Sequence, residues 1–427
     1  MIETSVFPHS IALLVGLLGL ATLVAILVRP LRIPYTVGLV VAGLVLGGLA
    51  SAAGIAPIEV TPDLVLVVLL PGLVFEAGYR LRIAELRRWS TGLVLLAVPG
   101  VLISALVVAF VLHVFAGLPI ELAFVVGAMV SATDPAAVVA VFKQLRVAPS
   151  LATIVDGESL LNDGTGLVLF AIALQAVTQP FAPGGAAMAF AGAIVVSVTI
   201  GLVTGYVAAR LISVIDDHLI ELTISVVLAY GSYLLADEFH LSGVLATVTA
   251  AVVLGNVGPG RMLTATGADA IDTVWEFFAF LLTAVTFLLV GLAIPPGQLV
   301  EALGPIALAV VAALVGRALI VYGLLGGTAR LAPIPGLAGR MPIGWLHVLF
   351  WSGLRGAVAV AMALSLPADL PQRALLQEIT FGVVLFTLLV QGTTVGRLVS
   401  RVAGPRSPGS TDSPGSTAAT VATTSEA

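Results

Sequence analysis

The densest group of oxygen-bearing side chains in the sequence lies within one apolar stretch, between residues 156 and 166. At about 100° per residue on a helix, Ser159, Asn162 and Asp163 fall on one side, while Glu158 points about 140° away from Asp163. Hydroxyl, amide and carboxylate oxygens are ligands that suit hard monovalent cations. The pattern therefore indicates a cation site on one face of this helix, with the carboxylate of Glu158 directed at a different neighbour.

A second polar group interrupts another apolar stretch, at Thr133, Asp134 and Pro135. Proline lacks an amide donor and disfavours helix at the residue before it, so we expect the helix to break here. Unpaired backbone groups are tolerated inside a membrane where they line a cavity or meet other protein. Asp134 would then belong to a cation site, or stabilise the positive N-terminus of the half-helix that follows.

Arg355 and Arg317 are basic residues within apolar stretches. A buried arginine needs a carboxylate partner, and Glu158 is the leading candidate for Arg355 because it faces away from the proposed cation site. Gly353 and Gly356 flank Arg355 and would permit a second break. For Arg317 we expect a packing or pairing role.

Glu76 lies near the end of a further apolar stretch, just before a basic segment. Its carboxylate is either a cation ligand or an interfacial group paired with Arg80 or Arg82. The sequence leaves both interpretations open.

These polar residues stand out because the chain as a whole is apolar. Its 427 residues are 59% hydrophobic and 10% charged, with a mean hydropathy of +1.16. A soluble domain carries roughly 25% charged residues, because a polar surface must meet water. The composition therefore excludes a soluble enzyme, a nucleic-acid binder and a disordered scaffold, and predicts a polytopic membrane protein. There is no cysteine and no clustering of histidines, so we expect no zinc site.

Apolar runs of about 18 residues or more give about 13 candidate membrane spans. Basic residues are concentrated in alternate connections, beginning with Arg29 and Arg32, which places the N-terminus outside and the C-terminus in the cytoplasm. The predicted division is a transmembrane domain over 1–400 and a tail over 401–427, whose Ser, Thr, Pro and Gly content predicts disorder. No G-x-x-x-x-G-K-[ST] motif occurs, which argues against ATP-driven transport.

Taken together, these stretches resemble the NhaP-type, electroneutral branch of the monovalent cation:proton antiporter superfamily. The matching segments are 75–79 (FEAGY), 133–135 (TDP), 158–163 (ESLLND) and 355–358 (RGAV), in the family's order. The resemblance covers about residues 10–400. It implies an all-α polytopic membrane protein with 13 spans in two inverted repeats, two unwound helices that cross, and a core domain beside a dimerisation domain.

The resemblance also implies a role for each matched residue. Asp163 is expected to carry the cation and the proton, and Asn162 stands where electrogenic relatives have a second aspartate. Glu158 and Arg355 are expected to form a structural ion pair. The other residues expected at the ion site are Ser159, Thr133 (through its carbonyl), Asp134 and Glu76. The Na⁺ ligands expected among all of these are Asp163, Ser159, Thr133 and Glu76.

The implied function is exchange of Na⁺, or of Li⁺ or K⁺, for protons, one for one and electroneutral, by alternating access with competition at Asp163. No enzyme activity, cofactor, ATP or nucleic acid is expected, and the partners are the transported ions, the bilayer of the cell membrane and a second copy in a homodimer. Two other function classes stay open. A sodium-coupled symporter would need a second, solute-sized pocket, and an intramembrane enzyme would use Asp134 and Asp163 as a dyad.

Overall fold

The computed structural model describes residues 6–28, 30, 33–54, 60–178, 183–257, 264–331 and 341–402. Every regular element within these ranges is helical, as the resemblance to the antiporter superfamily implies. The α-helices are α1 (Val6–Val28), α2 (Tyr35–Ala52), α3 (Leu70–Arg80), α4 (Ile83–Leu95), α5 (Val101–Ala116), α6 (Ile120–Met129), α7 (Ala136–Leu145), α8 (Pro149–Thr178), α9 (Pro183–Ile212), α10 (His218–Glu238), α11 (Gly243–Val257), α12 (Ala265–Ala293), α13 (Pro296–Leu299), α14 (Leu303–Ala318), α15 (Gly326–Leu331), α16 (Ile343–Trp351), α17 (Ala357–Leu364), α18 (Arg373–Phe386) and α19 (Gly392–Val402).

Four π-helical segments extend these helices without a gap, at Leu64–Leu69, Leu96–Gly100, Leu319–Leu325 and Thr387–Gln391. Arg29, Arg32 and the predicted tail from residue 403 onwards lie outside the described residues. The domain boundary at 400 and the disorder of the tail therefore stay predictions.

Helix length sets which elements can cross a bilayer, because about 20 residues at 1.5 Å each span the hydrocarbon core. Among the described residues, eight helices are long and apolar enough: Tyr35–Ala52, Ile83–Ala116, Pro149–Thr178, Gly184–Ile212, His218–Glu238, Thr266–Ala293, Leu303–Thr328 and Arg373–Val402. The predicted count of about 13 spans is not established by this criterion, since the shorter apolar helices, such as α6, α7 and α11, do not reach the required length individually.

Two helices are interrupted in the middle of an apolar run. Helix α6 ends at Met129 and α7 begins at Ala136, so the chain is non-helical around Pro135, as predicted. The second interruption separates α16 from α17, and it contains Gly353, Arg355 and Gly356. Each interrupted helix is followed by a long helical segment, α8 in the first case and α18–α19 in the second.

Helix α8 carries the polar group found in the sequence and lies inside the bundle. It packs against α4, α6, α9 and α11, and its residues from Gly157 to Leu160 are all buried. Close packing against α11 depends on Gly164, where a Cβ atom would lie 2.5 Å from Leu245 Cγ. The outer helices instead expose large apolar side chains, such as Met188 (78%) and Val195 (63%) on α9. This distribution suits a protein whose surroundings are lipid.

Candidate functional site

The two interrupted helices cross and are joined through their backbones. The amide of Asp134, in the first break, donates a hydrogen bond of 2.8 Å to the carbonyl of Leu354, in the second. Gly356 makes the close approach possible, because a Cβ atom there would collide with the carboxylate of Asp134. The crossing therefore places Asp134 against the second break.

The Asp134 carboxylate lies between the N-terminal ends of two half-helices. Its Oδ1 accepts a hydrogen bond of 2.9 Å from the amide of Ala136 at the start of α7, and its Oδ2 lies 3.5 Å from the amide of Ala357 at the start of α17. A helix N-terminus carries about half a positive charge, so one carboxylate offsets both ends. Asp134 therefore lies at the N-terminus of the following half-helix, which is one of the two placements left open by the sequence, and also at the start of α17. Its assignment to the ion site stays a prediction.

Arg355 stabilises a helix C-terminus, that of α6, whereas Asp134 stabilises helix N-termini. Its Nη1 donates to the carbonyl of Ser131 at 2.6 Å and to that of Ala132 at 3.0 Å, just beyond the helix's last residue. These carbonyls belong to the negative end of α6, which a guanidinium stabilises. The amide of Arg355 is held by the hydroxyl of Thr387 at 3.0 Å.

The predicted ion pair of Glu158 with Arg355 is wrong, because Glu158 pairs with Arg317 instead. Arg317 Nη2 lies 2.9 Å from Glu158 Oε2, and Nη1 bonds to Oε1. Both side chains are buried. The physical reason is that the guanidinium of Arg355 is turned to the carbonyls of the other break, while α14 brings Arg317 to the face of α8 from which Glu158 projects.

Arg317 also binds the end of the second interrupted helix. Its Nε and Nη2 donate to the carbonyl of Leu349, in the last turn of α16, at 3.1 and 2.7 Å. Arg317 therefore caps α16 as Arg355 caps α6. The expected pairing role for Arg317 is confirmed.

Asn162 and Ser159 on α8 hold Thr133 in the first break. Asn162 Oδ1 accepts from the Thr133 amide at 3.0 Å, and its Nδ2 donates to Thr133 Oγ1 at 2.7 Å. The Ser159 hydroxyl donates to the Thr133 carbonyl. All three residues are buried, so the predicted juxtaposition of this helix face with the break is present.

Asp163 lies on the same face of α8 as Ser159 and Asn162, but its carboxylate does not bind Thr133. Asp163 is 8% exposed, and within the described ranges its side chain has neither a hydrogen-bond nor an ion-pair partner. Asp134 and Arg355 are the charged groups that act on it electrostatically. A buried carboxylate without a protein partner is suited to binding a cation or a proton.

Among the described residues, Glu76 forms no hydrogen bond or ion pair with the residues at the first break or with Asp163. It forms an ion pair with Arg80 on the same helix, with Oε1 2.6 Å from Nε, which is one of the two arrangements left open by the sequence. Lys143, Glu276 and Asp272 are the other charged groups near it. Its assignment as a cation ligand stays a prediction.

Three contacts at the crossing were not predicted. They are the carbonyl of Leu354, which receives the Asp134 amide, the hydroxyl of Thr387, which fixes Arg355, and the carbonyl of Leu349, which receives Arg317. Each depends on a backbone group or on a hydroxyl in an apolar run, so no local pattern reveals them. Among the described residues, no three His, Cys, Asp or Glu side chains are grouped as a metal centre would require.

Comparison with known proteins identifies the family of the chain. A family model described as "Sodium/hydrogen exchanger, transmembrane" matches residues 18–401. The Na(+)/H(+) antiporter ApNhaP of Aphanothece halophytica is 37% identical over 389 residues, which are 90% of this chain and 73% of the relative. The Na(+)/H(+) antiporter NhaH of Halobacillus aidingensis is 34% identical over 397 residues, 90% of this chain and 96% of the relative.

A solved structure shares the fold. That of the sodium proton antiporter MjNhaP1 from Methanocaldococcus jannaschii superposes with a TM-score of 0.70 at 21% identity, covering 93% of this chain and 100% of that one. Since the family model covers most of the chain and the relatives exceed 30% identity, the chain belongs to the sodium/hydrogen exchanger family, and its resemblance to the NhaP-type branch is confirmed.

Proposed function

We propose that the protein exchanges Na⁺ for H⁺ across a membrane by alternating access, with both ions competing for the carboxylate of Asp163. The observation that carries this proposal is the buried Asp163 side chain, which has no partner in the described part of the chain although the polar groups around it are paired. The names and the fold of its relatives support the same activity.

Obligatory exchange follows from the charge of this carboxylate. Moving a bare carboxylate through the bilayer costs at least ~2.5–3.5 kcal/mol. At about 1.4 kcal/mol per tenfold, that cost suppresses the empty crossing by roughly a hundredfold. Either one Na⁺ or one proton neutralises Asp163 and removes the cost, so the loaded forms cross and the empty form does not.

The polar groups at the first break and on the facing side of α8 divide into cation ligands and positioning groups. Ser159 Oγ keeps its lone pairs when it donates to the Thr133 carbonyl, and that carbonyl has a second lone pair, so both oxygens remain able to bind a cation. Asn162 is assigned a positioning role, because both ends of its amide bind Thr133. Asp134 is assigned the same kind of role, because two helix ends share its carboxylate.

The two other function classes lack a supporting observation. The cavity beside Arg355, at the crossing, has a volume of about 10 Å³, which is room for one water molecule, so an organic solute coupled to the ion would find no space there. An aspartyl dyad would need both carboxylates free to move protons, and that of Asp134 is bound by backbone amides. Exchange of small ions needs neither a large pocket nor a second titrating acid.

Reconstitution into liposomes containing a pH dye tests this function. Adding a transported cation outside should raise the internal pH, because each cation that enters is exchanged for a proton that leaves, and comparing Na⁺, Li⁺ and K⁺ identifies the ions transported. The half-saturating Na⁺ concentration should increase as the pH falls, because protons compete for the same carboxylate. Asp163→Asn should abolish the signal, while Asp237→Asn, which alters an exposed carboxylate at the end of α10, should not. Normal exchange by purified Asp163→Asn protein would refute the assignment.

The setting of this activity is part of the proposal. We assign the transporter to the cell membrane, with its N-terminus outside, its C-terminus in the cytoplasm, and the chain divided into a transport domain over 1–400 and a tail over 401–427. Support comes from the distribution of basic residues along the sequence. A homodimer, and operation without cofactor, ATP or enzymatic chemistry, are proposed from the resemblance to the NhaP-type branch.

A further inference from the structure

A cavity of about 440 Å³ lies apart from the ion site, between the π-helical segment Leu319–Leu325, α16 and α19. Its walls include Tyr322, His347, Trp351, Thr394, Arg397 and Arg401. Small-molecule sites in proteins typically occupy about 300–1,000 Å³. The cavity therefore has the size of a binding site, and its lining combines aromatic and basic groups.

Two arginines supply a positive charge that no acidic residue in the described part of the chain offsets through an ion pair. Arg397 and Arg401 are four residues apart on α19, so they project from the same side of the helix, and both are exposed. The ion pairs found in the described chain involve Arg80 and Arg317, and no acidic residue lines the cavity. The chemistry that the cavity would recognise is that of a phosphate or a similar anion.

The aromatic wall is already ordered by hydrogen bonds. Trp351 Nε1 donates to Thr394 Oγ1 at 2.8 Å, and the Tyr322 hydroxyl lies 2.8 Å from His347 Nδ1. The rings of Tyr322 and His347 also meet edge to face, with centroids 5.7 Å apart. Because these contacts fix the side chains, a ligand would enter a site that needs little further ordering.

The polarity of the surface changes along the helices that form the cavity. Leu319 is 52% exposed one turn before Tyr322, and Val390 is 39% exposed one turn before Thr394. From Val390 to Arg397 the helix rises about 10 Å at 1.5 Å per residue. An exposed apolar surface, then aromatic rings, then arginines is the order met on passing from the hydrocarbon core to the headgroup layer.

We propose that this cavity binds the phosphate-bearing headgroup of an anionic membrane lipid. The phosphate lies between Arg397 and Arg401, and the acyl chains lie along Leu319 and Val390. A free phosphate ion shares the charge but not the acyl chains, so the apolar surface next to the cavity favours the lipid as the source. The site is separate from Asp163 and does not depend on the proposed exchange.

Quenching of tryptophan fluorescence by brominated lipids tests the proposal on the full chain in detergent. Brominated phosphatidylglycerol should quench with an affinity about thirtyfold above that of brominated phosphatidylcholine, as two basic residues beside an anionic lipid would give. The double variant Arg397→Gln, Arg401→Gln should bind the two lipids with nearly equal affinity. Trp351→Phe should remove most of the quenching, because that ring lies in the cavity.

The matched control is Arg87→Gln with Arg88→Gln, which removes the same charge from two exposed arginines on α4. This control should keep the full preference for phosphatidylglycerol. Equal loss of preference in both double variants would overturn the proposal, because bulk surface charge would then explain it. Equal quenching by the two lipids, or displacement of the lipid by the same concentration of inorganic phosphate, would also overturn it.

Discussion

Arg317 and Glu158 form a buried, two-bonded ion pair that connects three helices. Glu158 lies on α8 beside the ion site, Arg317 lies on α14, and the same guanidinium caps the carbonyl of Leu349 at the end of α16. Two charges buried this far from water remain compatible with folding because their donors and acceptors are satisfied. The pair therefore fixes the position of α8 relative to the second interrupted helix.

Removing both members of this pair should cost less stability than the sum of the two single removals. Loss of one partner from a buried pair costs roughly 3–5 kcal/mol, because the other charge is left uncompensated. We expect Glu158→Ala and Arg317→Ala each to lower the unfolding temperature in detergent, and the double variant to fall well short of the summed loss.

Arg355 provides the control for this cycle. Glu158→Ala combined with Arg355→Ala should show a much smaller coupling than the Arg317 cycle, because Arg355 is bound to the carbonyls of Ser131 and Ala132. Measured coupling as large as that of the Arg317 cycle would show that the ion pair is shared between the two arginines.

The sequence predicts the direction in which a side chain projects from its helix better than it predicts the residue that this side chain contacts on another helix. The spacing of Glu158 and Asp163 correctly predicts that the two carboxylates diverge, because direction around α8 depends on spacing along the chain. Which arginine meets Glu158 depends instead on how α14 and the second break pack against α8. Arg317 and Arg355 are chemically equivalent candidates, and no local pattern separates them.

The two helix interruptions show the same difference between local features, which the sequence predicts, and contacts between distant segments, which it does not. Pro135 predicts the first interruption, since the missing amide donor acts locally. The hydrogen bond from Asp134 to Leu354 joins segments that are distant in sequence, and the hydroxyl of Thr387 lies in an otherwise apolar run. Such contacts arise from the packing of the whole bundle, so they become visible only when the fold is known.

Gly356 should be intolerant of a side chain because the two breaks meet there. In Gly356→Ala the new methyl group would displace the Asp134 carboxylate from the N-termini of α7 and α17. Overpacking of this kind costs about 1–3 kcal/mol, and we expect exchange in liposomes to fall further than stability does.

Gly231→Ala is the matched control. Gly231 also lies within a helix, α10, but has open space where a Cβ would be added. This variant should keep its exchange activity and its unfolding temperature should not fall. If Gly356→Ala were as active as Gly231→Ala, the close approach at the crossing would not be needed for transport.

The proposed topology can be measured directly because the natural chain has no cysteine. Single variants Ser90→Cys and Ser400→Cys should resist a membrane-impermeable maleimide added to intact cells, and Ala368→Cys should react with it. All three positions are exposed, so accessibility differs by side of the membrane rather than by burial. All three should react after the cells are lysed. Labelling of Ser400→Cys in intact cells would reverse the assigned orientation.

The stoichiometry of exchange is expected to follow from the side chain at position 162. Asn162 is neutral, and its amide is bound to Thr133 at both ends, so α8 contributes a single titrating carboxylate, Asp163, at this point. One Na⁺ and one proton then compete for one negative charge, and each half-cycle moves no net charge. Exchange should be one for one and indifferent to the membrane potential.

Proteoliposomes clamped with K⁺ and valinomycin at several potentials provide the test. The rate and end-point of the Na⁺-driven pH change should not vary with potential, and adding Na⁺ should give no transient current. Asn162→Asp need not convert the protein to charge-moving exchange, because Asp134 and Arg355 also act on the field at Asp163. A current that scales with Na⁺ transport in the unaltered protein would show that a second acid titrates during the cycle, with Asp134 and Glu76 as the residues to replace next.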